Sequence, residues 1–148
     1  MQPEPISFFV AGEPKAQPRV KAARIGGFVR MYTPPTAEPW KKLVREAARA
    51  AIPGQLCGPL NLGLRFYFER PKSHLKKDGS LTTEGAKFIQ HTKKPDADNL
   101  AKAVMDAMTD ASVWVDDDLI ISLYISKSWT TPGNPTEGCS VLVSQYVE

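Results

Sequence analysis

A change of hydrophobic period between residues 36 and 68 is the clearest regularity in the chain. From Thr36 onward, Ala37, Trp40, Leu43, Val44, Ala47, Ala48 and Ala51 recur on one face of a helical spiral, with Lys42, Arg45 and Arg49 opposite. That spacing predicts an amphipathic helix. Pro53-Gly54 stops it. Leu60, Leu62, Leu64, Phe66 and Phe68 then alternate with Asn61, Gly63, Arg65, Tyr67 and Glu69, the pattern of a strand with one buried face. Weaker patterns flank this pair. Residues 6–10 predict a strand ended by Gly12 and Pro14, residues 15–24 a basic loop broken by proline, and residues 28–32 a short strand after Gly26-Gly27. Helical spacing returns over 99–111, and strands are predicted over 113–115, 119–129 and 139–146, with a turn region at 132–138. The polar stretch 70–94 predicts a long loop with one helical turn near 83–89, and a loop of that length in a small domain is functional or mobile. The order of elements predicts an α+β fold: one domain over 1–148, a mixed or antiparallel sheet packed with two main helices.

Composition narrows the classes. A chain of 148 residues, 42% hydrophobic, buries one core. The most apolar run, 119–125, is far short of the ~20 residues that cross a bilayer, so no membrane association is expected. Met1-Gln2-Pro3-Glu4-Pro5 lacks the basic start and apolar stretch of a secretory leader, so the expected location is the cytoplasm. Cys57 and Cys139 have no CxxC spacing and no neighbouring histidine pair, so zinc and thioredoxin-type readings have no support and both are expected to be reduced packing residues. The net charge of +3 hides a segregation along the chain. Residues 1–51 carry nine Lys/Arg against four Asp/Glu, residues 65–94 eight against three, and residues 95–148 two against nine. Two basic segments before an acidic one suit a protein that holds a polyanion and a cation together.

The acidic segment contains the candidate chemistry. Pro95 stiffens the entry to it, and an extended chain through Asp98 would turn Asp96 and Asp98 to the same side. Asp98 is also a good N-cap for the helix that follows, and capping alone would explain it. On that helix Leu100, Ala103, Val104, Ala107 and Met108 form the apolar arc, while Asp98, Lys102 and Asp106 recur every four residues opposite. A solvated salt-bridge ladder has the same spacing. Asp116-Asp117-Asp118 adds three adjacent carboxylates between apolar segments, a repulsion that a bound cation would relieve. Carboxylates converging from two chain segments make the all-oxygen site that Mg²⁺ prefers, with positions left for water and phosphate oxygens.

Asp96-Ala97-Asp98-Asn99-Leu100-Ala101-Lys102-Ala103-Val104-Met105-Asp106-Ala107, followed by Trp114-Val115-Asp116-Asp117, resembles the signature of the RusA family of Holliday-junction resolvases. Gly12-Glu13-Pro14-Lys15-Ala16-Gln17-Pro18-Arg19 is similar to the start of phage-type relatives, with Gln17 where arginine is common. The strong resemblance covers residues 93–127. It implies that Asp96, Asp98 and Asp117 are the metal-binding catalytic carboxylates and Lys102 the catalytic lysine, with Asp106 and Asp116 supporting them. It also implies an Mg²⁺-dependent endodeoxyribonuclease, with Mn²⁺ able to substitute. A homodimer would bind branched DNA, above all four-way junctions, and nick two strands symmetrically in recombination and repair. Lys15, Arg19, Lys21, Arg24, Lys93 and Lys94 are the expected phosphate contacts.

Other residues have plainer expectations. His74 and His91 lie in the polar loop and are expected to be solvated or at the DNA backbone rather than catalytic. Trp40 is expected in the core, and Trp114 fits either core or base stacking. Two other readings remain open on sequence grounds. One is a junction-binding architectural protein without catalysis; the other is a metal nuclease for flaps, forks or other branched DNA.

Overall fold

The computed structural model describes residues 3–147. Met1, Gln2 and Glu148 lie outside the described residues, and so do the part of the leader expectation that concerns the first two positions and the outer limits of the 1–148 domain. In chain order the elements are β1 (Ile6–Ala11), β2 (Lys21–Ile25), β3 (Phe28–Tyr32), α1 (Glu38–Ala51), β4 (Leu60–Phe68), α2 (Ala97–Asp110), β5 (Ile120–Trp129) and β6 (Gly138–Gln145).

Four strands form one sheet in the spatial order β1-β6-β4-β5. β6 runs antiparallel to β1 and β4, whereas β4 and β5 are parallel, with Leu62 beside Leu123 and Phe66 beside Lys127. A parallel pair needs a long crossover, and α2 with the loop before it provides one. The fold is therefore the α+β arrangement that the sequence predicts, a mixed sheet with two helices. The inward row of β4 (Leu60, Leu62, Leu64, Phe66, Phe68) and Cys139, Val141 and Val143 of β6 are buried together with Trp40, Val44 and Ala48 of α1. Leu100, Ala103, Val104, Ala107 and Met108 of α2 complete the same cluster. On the opposite face of the sheet Phe9, Arg65, Tyr124 and Leu142 are exposed, so the helices cover one side only. Arg45 joins the two helices: it is ion-paired to Glu38 at 2.6 Å and lies 3.9 Å from Asp110 at the end of α2.

The structure departs from the expected elements at several points. Residues 113–115 are not a strand. Ser112 takes a left-handed conformation (φ 61°), the Val113 N–H donates to the Met108 carbonyl, and Val113 and Trp114 are both buried in succession. These residues form bends and pair with no strand, so the chain turns here instead of extending. Residues 21–24 are not loop but part of β2, paired in register with β3. Leu43, placed by periodicity on the core face of α1, is 40% exposed because the core contact narrows to Trp40, Val44 and Ala48. Cys139 is a packing residue whose thiol is pushed up by burial, but Cys57 is exposed. Among the described residues no helix is long and apolar enough to cross a membrane.

Leu64 is fully buried at the centre of β4. Leu64→Ala is expected to lower unfolding free energy by about 2–5 kcal/mol, as methyl deletion in a closed core does. A loss below about 1 kcal/mol in urea titration would mean that this row is not the core.

Candidate active site

The bend before α2 is held from below by a lysine. Lys127 sits on the inward row of β5, and its Nζ donates to the Lys93 carbonyl at 2.6 Å and the Pro95 carbonyl at 2.5 Å. Burial pushes the Lys127 ammonium below its ordinary pKa, and the nearby Asp96 charge pulls it back up. This residue was not among the sequence candidates. Its signal was present in the alternation Ile125, Lys127, Trp129, which puts one charge in an inward strand row.

α2 begins at Ala97, two residues earlier than its periodicity indicates, so the chain is not extended through Asp98. Asp96, with extended backbone (φ −72°, ψ 145°), occupies the N-cap position, while Asp98 lies in the first helical turn. Neither makes a side-chain cap bond, which removes capping as the explanation of Asp98. Asp96 receives the Lys94 ammonium on both oxygens at 2.8 and 3.0 Å. That contact holds its carboxyl below the usual range, with Lys127 and Arg19 adding to the effect. The salt-bridge ladder is also absent: among the described residues no ion pair joins Lys102 to Asp98 or Asp106.

The second acidic segment is brought back to α2. Asp116 caps a short 3₁₀ turn, Asp117–Leu119, by accepting the Asp117 N–H at 2.7 Å. Burial raises the Asp117 carboxyl above the usual range, and the Asp116 side chain and the charges of Asp116, Asp106 and Asp118 push it the same way. Asp106 and Asp117, from separate elements, therefore share one electrostatic neighbourhood. Asp96 stands instead among cations. Among the described residues no three His, Cys, Asp or Glu side chains form a ready cage for a metal ion. The donor chemistry nevertheless fits a hard divalent cation, since every candidate is a carboxylate and the crowding at Asp117 is of the kind that a cation relieves.

Beside these acids lies an open cavity of about 380 Å³ whose lining includes Arg19, Val20, Thr33, Asn99, Lys102 and Asp106. The loop after β1 is fixed there by the Gln17 N–H, which donates to the Asn99 carbonyl at 2.9 Å, so Arg19 faces the start of α2. The Gln17 side chain meets the Lys41 ammonium at 3.4 Å. Of the other expected phosphate contacts, Lys21 and Arg24 project from β2, Lys93 is exposed, Lys94 is on Asp96, and Lys15 pairs with Glu13 at 2.9 Å.

The histidines belong elsewhere. His91 is buried between Phe68 and Trp129, with ring centroids 4.1 and 4.4 Å away, and half-buried His74 stacks on Phe88 at 5.2 Å. They are parts of an aromatic cluster under the long loop, not solvated side chains. Trp114 is buried, and its Nε1 donates to Thr109 Oγ1 at 2.7 Å, which decides between core and base stacking in favour of the core.

A family model described as endodeoxyribonuclease RusA matches residues 11–135. YqaN, an uncharacterized protein of Bacillus subtilis (strain 168), is 32% identical over 128 residues, covering 84% of this chain and 88% of that protein. The crossover junction endodeoxyribonuclease RusA of Escherichia coli O139:H28 (strain E24377A / ETEC) is 43% identical over a shorter stretch of 42 residues. That stretch is 28% of this chain and 35% of that protein.

Two measurements test this geometry. Lys127→Met is expected to speed amide exchange at residues 92–98 while leaving β4 protected; unchanged exchange would show that the lysine does not hold the run. For His91, burial and then the Lys127 charge depress the imidazole pKa below its ordinary value of about 6.5. Its stabilising contribution is complete above that value and is lost as pH falls toward the folded-state pKa. His91→Phe should therefore lose less thermal stability than the parent protein between about pH 7.5 and about pH 5. Parallel losses would contradict the assignment.

Proposed function

The chain belongs to the RusA endodeoxyribonuclease family, and on that premise we propose that it resolves Holliday junctions by divalent-metal-dependent, symmetric phosphodiester cleavage in recombination and repair. The observation that supports the reading most is the return of Asp117 to the flank of α2, where a crowded carboxylate cluster borders a basic cavity. Carboxylates on one side and Arg19 and Lys102 on the other are what cleavage of a phosphodiester needs.

Asp96, Asp98 and Asp117 would hold Mg²⁺ or Mn²⁺, with Asp106 and Asp116 shaping the field around Asp117. Once bound, the cation supplies charge neutralisation at the scissile phosphate and activation of a water. Lys94 would have to leave Asp96 for this. Its side chain is 85% exposed, and an exposed ion pair is weak, so little would be lost in freeing that carboxylate to hold the cation. The released ammonium is then free for a phosphate. Lys102, which lines the cavity and has no ion-pair partner among the described residues, would meet the charge that develops at phosphorus. Arg19, Lys21, Arg24 and Lys93 take the flanking backbone, as does Lys15 when its exposed pair with Glu13 opens. A four-way junction has two equivalent strands to cut, which a two-fold dimer with two sites serves directly. Such an enzyme works on DNA in the cytoplasm.

Cleavage of a synthetic four-way junction should require Mg²⁺ or Mn²⁺ and cease in EDTA; full activity in excess chelator would remove the proposed site. Asp96→Asn and Asp117→Asn should each lose more than about 100-fold in cleavage while still binding junctions, and metal-free binding should be equal or tighter because a negative charge has gone. Lys102→Ala should also lose cleavage but bind no tighter. Folded Asp96→Asn and Asp117→Asn proteins that cut at parental rates would exclude the catalytic role and favour an architectural one.

A further inference from the structure

The ribbon formed by β2 and β3 stands off the body of the protein. Every residue of β3 is exposed, as is every residue of β2 except half-buried Ala23. Its apolar side chains are bare: Phe28 is 79% exposed, Val29 65% and Ile25 58%. A fold that has buried a full core elsewhere gains nothing from displaying these residues, so their exposure calls for an occupant.

Three observations identify it. First, charge: between Glu13 and Glu38 the chain carries Lys15, Arg19, Lys21, Arg24 and Arg30 and no acidic residue, so the whole arm is complementary to a polyanion. Second, shape: register pairs Ile25 with Phe28 across the end of the ribbon, and Gly26 (φ 57°) and Gly27 (φ 85°) make the connecting turn. Both central residues at positive φ give the tight two-residue hairpin turn, which leaves the Ile25/Phe28 pair as the leading edge. An added Cβ at either glycine meets nothing within 4 Å. Lys21, Ala23 and Ile25 share one ribbon face with Tyr32, Arg30 and Phe28, so this face runs from basic shaft to apolar tip. Third, place: Arg19 and Val20 before the ribbon and Thr33 after it line the same cavity as Lys102 and Asp106. The arm is rooted at the candidate active site.

We propose that the β2–β3 ribbon is a branch-point wedge: Ile25 and Phe28 at its tip pack against base pairs that a DNA branch leaves unstacked, while Lys21, Arg24 and Arg30 on its shaft hold the adjoining phosphates. The inference rests on the reading of the protein as a branched-DNA endonuclease and adds the element that tells a branch from continuous duplex. Intact duplex offers the tip no open base-pair face, so wedge contact there requires unstacking, which costs a few kcal/mol per step. At a branch the face is already open. Basic contacts bind both forms alike, and the apolar tip creates the difference.

The test uses the full chain without metal, a four-way junction carrying 2-aminopurine beside the crossover, and a linear duplex of the same sequence. Wild type should bind the junction more tightly and raise 2-aminopurine fluorescence. The double variant Ile25→Ala/Phe28→Ala should lose most of that rise and about tenfold of the preference for junction over duplex, with duplex affinity unchanged. Phe28→Trp should keep both. The ribbon packs on nothing in the core, so the variants should melt at the parental temperature. A double variant that keeps preference and fluorescence overturns the wedge while leaving the endonuclease reading intact, as does equal loss on both DNAs. A shift of the double variant to a smaller species in sedimentation velocity assigns the tip to an interface between copies and also overturns it. Wild type that neither prefers nor cuts any branched DNA overturns the functional reading, and the wedge with it.

Discussion

The burial of Trp114 is the constraint on which the candidate site depends. Its ring lies in the common core and its Nε1 donates to Thr109 Oγ1, so the chain leaving α2 cannot drift into solvent. Ser112 supplies the left-handed turn, the Val113 carbonyl accepts from the Leu56 N–H, and Gln55 Nε2 donates to the Ser112 carbonyl. The segment is thus fixed at both ends before it reaches Asp116. With the tryptophan anchored there, the carboxylates that follow are held beside the helix that carries Asp106, although burial and then the neighbouring Asp116, Asp106 and Asp118 raise the Asp117 carboxyl above its usual range. Packing of an apolar side chain stabilises a polar arrangement that would otherwise spread apart.

A second anchor acts at the other end of α2. Lys127 reaches from β5 to two carbonyls of the run before the helix, so the parallel pairing of β4 with β5 also sets where Asp96 begins. The site is consequently assembled between the amino-terminal turn of one helix and the chain that returns after it. Cations gather at the Asp96 end and carboxylates at the Asp117 end. The field across the site is therefore strongly uneven.

The sheet and helices enclose a core that involves neither the ribbon nor the cavity at its base. Division of labour follows. The two-layer body holds the carboxylates still, and the acid-free stretch between Glu13 and Glu38 supplies positive charge and exposed apolar surface from an arm that can meet DNA without disturbing the core. This is consistent with a body that cuts and an arm that selects, the role proposed for the ribbon.

Sequence by itself determined what depends on local periodicity and residue type. The alternation of β4, the amphipathic faces of α1 and α2, the α+β class and the family motif from Asp96 to Asp117 were all legible, because each is written in neighbours a few residues apart. Tertiary structure decided what depends on contacts between distant segments. That α2 starts at Ala97 with Asp98 inside its first turn, that Val113 and Trp114 are buried in a turn, and that His91 stacks between Phe68 and Trp129 all follow from packing across elements. Lys127 was missed for the same reason: its two carbonyl partners lie more than thirty residues away in the chain. That the Asp106 charge acts on Asp117 likewise depends on where a buried tryptophan turns the backbone, and a one-dimensional pattern holds no record of that turn.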